Sequence, residues 1–166
     1  LLRAYAWLSV VDLPLRGLAF AMAWKLWPRG RMPGLLAVLF IGLSWLPLTF
    51  ALYAGQSAAY AMTGIHWLGR APAHALFIGF FGSVLVAMVT RVTQGHSGQP
   101  LVMPAAAWWA FAGVQVVAVV RVAAELADDP MGWMACAAIG WLLAFAPWVA
   151  RLGRIYLSPR TDGKPG

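Results

Sequence analysis

The sequence predicts an all-α, polytopic transmembrane helix bundle of about five spans, and three observations carry that expectation. Of 166 residues, 62% are hydrophobic and only 10% charged, with a mean hydropathy of +0.75. A soluble domain carries about 25% charged residues, so this chain lacks the polar surface to face water. The apolar residues also fall in runs of about twenty, the length that crosses a hydrocarbon core as a helix. These runs are apolar all round, whereas a barrel strand alternates with period two over about ten residues. Backbone groups in lipid must be satisfied internally, which leaves the helix.

The first span is expected over residues 5–24 and carries Asp12 and Arg16. The second is expected over residues 35–53, the third over 74–93, the fourth over 105–124 and the fifth over 133–150. Pro28, Pro33, Pro72, Pro104 and Pro130 fall between or just before spans, where they act as punctuation. Pro14, Pro47 and Pro147 fall inside spans and predict kinks or re-entrant backbone. Trp24, Trp27, Trp67, Trp108, Trp109, Trp133 and Trp148 cluster near the expected ends, as an interfacial aromatic belt would. Residues 1–157 thus form one transmembrane helical domain, and residues 158–166 are expected to be a disordered cytoplasmic tail.

The formal charge of +7 and pI near 10.6 are read as topology. No aromatic-basic interleaving on a polar surface points to nucleic acid. Lys25, Arg29, Arg31, Arg91, Arg151, Arg154, Arg160 and Lys164 fall on one side of a five-span layout. Glu125, Asp128 and Asp129 fall on the other, with Arg3, Arg70 and Arg121. Lysine and arginine mark the cytoplasmic face, so the C-terminus is expected inside. Cys136 is the one cysteine, so there is no internal disulfide framework or Cys-based metal cluster.

That layout puts His66 and His74 on the outer side and His96 on the inner side. Twenty-two positions separate His74 from His96, which at about 1.5 Å per residue is close to the thickness of the bilayer core. On one continuous helix the two cannot share a metal. His74 opens the third span, and a neutral imidazole in a bundle is a good axial ligand for haem iron. Gly79 and Gly82 thin that helix, for a flat macrocycle or for another helix. The alternative for His74 is an interfacial histidine bonded to a loop, and the same alternative stands for His66. Asp12 and Arg16, four apart, share a helix face. They either neutralise one another or wall a cavity that receives a charged group, such as a propionate on Arg16. Arg121 and Glu125 repeat the spacing and, being interfacial, are expected to be structural. The densest polar stretch is residues 88–100, MVTRVTQGHSGQP, where His96 is expected to project from a glycine-flanked turn beside Arg91.

Residues 74–101, HALFIGFFGSVLVAMVTRVTQGHSGQPL, resemble the NnrS family of bacterial inner-membrane proteins. Met88, Arg91, Gly95, His96, Ser97, Gly98 and Pro100 fit the family's Met-x-x-Arg-Val/Ala-x-x-Gly-His-Thr/Ser-Gly-Arg-Pro ending. Residues 33–53 also look like the helix that precedes it. Family members have about twelve spans, so the chain looks like the C-terminal part of a larger protein. Gln99 stands where the family usually has arginine, which removes a cation beside His96.

The resemblance implies a haem- and copper-containing membrane protein of denitrification and nitric oxide stress. It makes His74 and His96 the ligand candidates, with Arg91 a supporting contact; His66 as a further metal-ligand histidine and Arg16 as a cofactor contact are candidates from their own positions. Its implied partners are the bilayer, haem, nitric oxide and membrane spans N-terminal to this chain. Binding or sensing is expected, without a defined turnover. The rival expectation is a transporter or channel subunit whose Asp12–Arg16 pair lines a polar path.

Overall fold

A computed structural model describes residues 5, 7–27, 29–161 and 163. Arg3, Pro28 and Lys164, with the last part of the expected tail, lie outside the described residues. The described chain folds into five helices without strands: α1 Leu8–Leu26, α2 Gly34–Thr63, α3 Ala71–Ser97, α4 Ala105–Ala124 and α5 Pro130–Tyr156. The last four are long and apolar enough to cross a membrane. α1 is set apart by Asp12, Arg16 and Lys25, three charges within 19 residues.

Local chemistry fixes the ends. Gly64 and Gly98 close α2 and α3 at φ of 71° and 73°, the left-handed geometry that glycine adopts without a Cβ clash. α4 begins directly after Pro104. α5 begins with Pro130, and the Asp129 carboxylate caps it by accepting from the Gly132 N–H at 3.1 Å.

The interior prolines do not produce re-entrant backbone. Pro14 and Pro147 lie inside continuous helices. The one interruption falls at Ser44, between Leu43 and Trp45, three residues before Pro47. A proline ring crowds the carbonyl four residues back, and here that carbonyl is on Leu43. In α5 the missing Pro147 N–H frees the Leu143 carbonyl, and the Trp109 indole of α4 donates to it at 3.0 Å. A neighbouring helix thereby supplies the donor the proline removed.

α2, α3 and α4 run longer than, or equal to, the expected spans, and the turns between α3, α4 and α5 are short, so these helices pack as antiparallel neighbours. Small residues line their contacts: Ala107, Ala110 and Val114 of α4 are buried against Val86, Ala87, Ala144 and Trp148. Gly113 sits so close to Ala144 that a Cβ there would overlap it. This is how membrane helices associate, since lipid offers no hydrophobic incentive and close backbone contact supplies the dispersion energy. Trp148 departs from the expected aromatic belt. It is 4% exposed and donates to Thr90 Oγ1 at 2.9 Å inside the bundle. The other six tryptophans of that belt are exposed, as expected.

Candidate functional site

The end of the bundle where α3 begins and α4 finishes holds a polar cluster. His74, one turn into α3, points Nε2 at two partners from α4. Arg121 Nη2 lies 2.9 Å from it and Glu125 Oε1 3.2 Å. One nitrogen cannot serve both in the same protonation state. With a lone pair on Nε2 the imidazole accepts from Arg121; with a proton there it donates to Glu125. The other Glu125 oxygen accepts from the Arg70 N–H at 3.0 Å, so the carboxylate also caps the start of α3. An acid at a helix N-terminus is favoured by the unpaired N–H groups it meets. Partial burial pushes Glu125 up. The Arg70 N–H, the His74 ring and the Arg121 guanidinium outweigh that and hold its carboxyl below the ordinary 4.5. Arg121 and Glu125 thus meet on His74 and bracket its ring.

A second chain of hydrogen bonds crosses the middle of the bundle. Trp45 Nε1 donates to Gln115 Oε1 at 2.7 Å, Gln115 Nε2 to Ser83 Oγ at 2.8 Å, and Ser83 to the Gly79 carbonyl at 2.6 Å. It runs beside a π-helical segment of α3, Ala75–Phe81. There the helix widens and Gly79 admits the Trp45 indole; a Cβ at 79 would overlap that ring. A Cβ at Gly82 would meet Val114 at 2.9 Å. The two glycines therefore receive a tryptophan and a neighbouring helix.

His96 is exposed in the last turn of α3, which runs as helix through Ser97. The expected turn around it is absent. Five residues along a helix rotate a side chain by about 140°, so Arg91 points away from His96. The left-handed backbone expected nearby is real, at Gly98. His96 lines a recess of about 230 Å³ with Thr93, Ser97, Tyr156 and Arg160. Thr161 reaches back to bond the Ser97 carbonyl through its N–H at 3.0 Å and its hydroxyl at 3.1 Å. Gln99 accepts from Arg151 at 3.3 Å. An arginine at 99 would face that guanidinium instead.

The remaining candidates stand apart. His66 is exposed between α2 and α3, its ring packed on Tyr60 and Tyr5 at centroid distances of 4.4 and 4.6 Å. Arg16 is exposed on α1, and among the described residues it forms no ion pair with Asp12. Because α3 is continuous, His74 and His96 are separated by about 33 Å, and they cannot share a metal.

Haem requires a free imidazole nitrogen beside a flat slot. Gly79 and Gly82 are filled by Trp45 and Val114, so among the described residues no flat slot opens beside His74, and the His96 recess of about 230 Å³ falls below the ~300 Å³ at which small-molecule pockets begin. The described residues do not fit haem. A single metal-donor role fits better. Among the described residues His74 Nδ1 has no hydrogen-bond partner, and a carboxylate on the opposite ring nitrogen is the usual support of a metal-bound histidine. Among the described residues no group of three His, Cys, Asp or Glu could complete such a site.

Sequence reasoning found His74, Arg121 and Glu125 but did not join them. The joining signal was present: α3 and α4 turn back through residues 98–104, and counting outward along both helices brings position 74 level with position 125. Gln115 was missed, though a lone amide inside an apolar span is itself a sign of interhelical bonding.

These features define a polytopic helical membrane protein with a histidine bracketed by arginine and glutamate at one end of the bundle. The NnrS family model, described as NnrS protein, matches residues 1–160. The chain belongs to that family. No curated protein and no solved structure gives a significant match.

Proposed function

We propose that this chain serves the response to nitric oxide in the bacterial inner membrane, with His74 as one imidazole donor to a copper ion. The observation that carries this reading is the bracketing of His74 by Glu125 and Arg121. It holds the ring through Nε2, and in the tautomer whose Nε2 proton goes to Glu125 the Nδ1 lone pair is left as the donor. Copper held there would supply a site able to bind a diatomic gas. The protein's own part is to hold the ring. Glu125 favours the tautomer with its proton on Nε2, and Arg121 keeps a positive charge beside the site. The other ligands, and the haem that the family resemblance implies, come on this reading from membrane spans N-terminal to this chain.

Arg91, Arg151, Arg154 and Arg160 stand at the end where α3 and α5 finish, and Glu125, Asp128 and Asp129 at the other. This supports a cytoplasmic C-terminus. The test is metal and haem content of the detergent-purified protein that includes those N-terminal spans, and of its histidine variants. His74→Ala is expected to lower bound copper, and His66→Ala and His96→Ala to leave it unchanged. Undiminished copper in His74→Ala, or none in the parent after copper loading, sinks the assignment.

A transporter reading has one observation in its favour. α1, which carries Asp12, packs on α2, and Thr49 Oγ1 and Gln56 Oε1 on one face of α2 are buried without partners among the described residues. Solute flux into liposomes that disappears with Asp12→Asn would support that path; equal flux in both proteins would remove it.

A further inference from the structure

The end of the bundle opposite His74 carries a recess that neither the metal reading nor the family match uses. It lies between the start of α4 and the last turns of α5, has a volume of about 450 Å³, and is lined by Ala106, Pro147, Ala150, Arg151, Arg154 and Ile155. Its wall is apolar and its rim is two guanidinium groups. Pro147, Ala150 and Arg154 are exposed and Arg151 is half-buried, so the recess opens on the bundle's outer face.

Depth places that rim. α5 has 27 residues, about 40 Å at 1.5 Å per residue, which exceeds the ~30 Å hydrocarbon core. Arg151 stands 21 residues from Pro130, about 32 Å along the axis. With the start of α5 at one interface, Arg151 and Arg154 therefore reach the headgroup level of the other, while Pro147 and Ala150 remain at acyl depth. The Gln99 amide accepts from Arg151 at 3.3 Å. That bond steadies the guanidinium and leaves its other N–H groups without partners among the described residues. Glu125, Asp128 and Asp129 stand at the opposite end, Asp12 lies within α1, and Asp162 lies outside the described residues.

We propose that this recess binds the phosphate of an anionic phospholipid, with one acyl chain lying along Ala106, Pro147 and Ala150. Two guanidinium groups match a phosphodiester in charge and in donor geometry. A basic pocket between helices at headgroup level, continued by an apolar wall, matches a lipid better than a soluble phosphate. Gln99 belongs to this site: its amide orients Arg151, where an arginine at 99 would repel it. The proposal is independent of the metal reading of His74.

The test uses delipidated protein in mixed micelles with spin-labelled phosphatidylglycerol or phosphatidylcholine, and reads the motionally restricted fraction by electron paramagnetic resonance. Phosphatidylglycerol is expected to be preferred, and Arg151→Gln or Arg154→Gln each to cut the preference by about fivefold. Ala150→Trp, which fills the recess and keeps the charge, is expected to lower it as well. Arg91→Gln removes an exposed cation at the same end but outside the recess, and is expected to leave it unchanged. Free phosphate in excess is expected not to displace the lipid. Three results would each overturn the proposal: an equal loss with Arg91→Gln, an unaltered preference with Arg154→Gln and Ala150→Trp, or displacement by free phosphate. Circular dichroism of each variant confirms the fold, and Arg154 and Ala150 keep the test decisive should Arg151→Gln not fold.

Discussion

Gly79→Ala is the sharpest test of the packing around the π-helical segment. The added Cβ would overlap the Trp45 indole, and the ring has little room, because its Nε1 is committed to Gln115 at 2.7 Å. Forcing one methyl into a packed core costs about 1–3 kcal/mol. Moving the indole also breaks the bond to Gln115, worth about 0.6 kcal/mol for an average interhelical bond in a membrane. The expected destabilisation is therefore about 1.5–3.5 kcal/mol. Equilibrium unfolding in mixed micelles, followed by helix content, measures it. The same substitution in a Trp45→Ala background is expected to cost less than about 0.5 kcal/mol, because the obstructing ring is gone; residues in contact couple in this way. An equal cost in both backgrounds would refute the reasoning, since it would show that the indole is not what the Cβ meets.

Other outcomes follow from individual contacts. Trp109→Phe keeps the ring but removes the donor to the Leu143 carbonyl freed by Pro147, and is expected to cost about 1 kcal/mol in the same unfolding assay. Gln99→Arg sets a guanidinium against Arg151; it is expected to lower stability at low salt, with part of the loss recovered as ionic strength rises. Glu125 has its folded pKa held below the ordinary 4.5, so its stabilising contribution is fully present above that value and is lost as pH falls through the folded one. Stability measured from pH 6 downward (about that range, in a carboxylate-free buffer) is expected to decline, and Glu125→Gln to flatten the decline. Gly113→Leu would drive a side chain into Ala144 and is expected to separate α4 from α5, visible as loss of the cooperative unfolding transition.

The helices and their approximate ends were legible in the sequence because both depend on local or near-local chemistry. Apolar runs, prolines and glycines are read one segment at a time. The expected second span stopped at residue 53, whereas α2 runs on to Thr63. Residues 54–63 are mostly small or polar, with Gln56 and Ser57 buried, so hydropathy fell where helix geometry continued. The expected turn around His96 failed for a related reason: two glycines suggested a break, but only Gly98 takes the left-handed backbone.

The candidate site was legible as residues and not as a site. Arg121 and Glu125 could be paired by their spacing, and His74 could be singled out as a polar residue opening a span. That both α4 residues turn to the same imidazole nitrogen depends on the rotation of α3 against α4. Small-residue contacts set that rotation, and hydropathy is blind to them. Gly79 and Gly82 make the same point: sequence allowed either a macrocycle or a helix, and only packing assigned them to Trp45 and Val114.

By itself, then, the sequence determined that this chain lives in a bilayer as a bundle of helices, that its charges divide between two ends, and that His74 and His96 are too far apart for one metal. Those properties follow from composition and from the fixed rise of an α-helix. Tertiary structure decided which polar groups meet: the imidazole between arginine and glutamate, the indole–amide–hydroxyl chain, and the arginine-rimmed recess. Such meetings depend on helix rotation and on close approach at small residues, and no single segment encodes either.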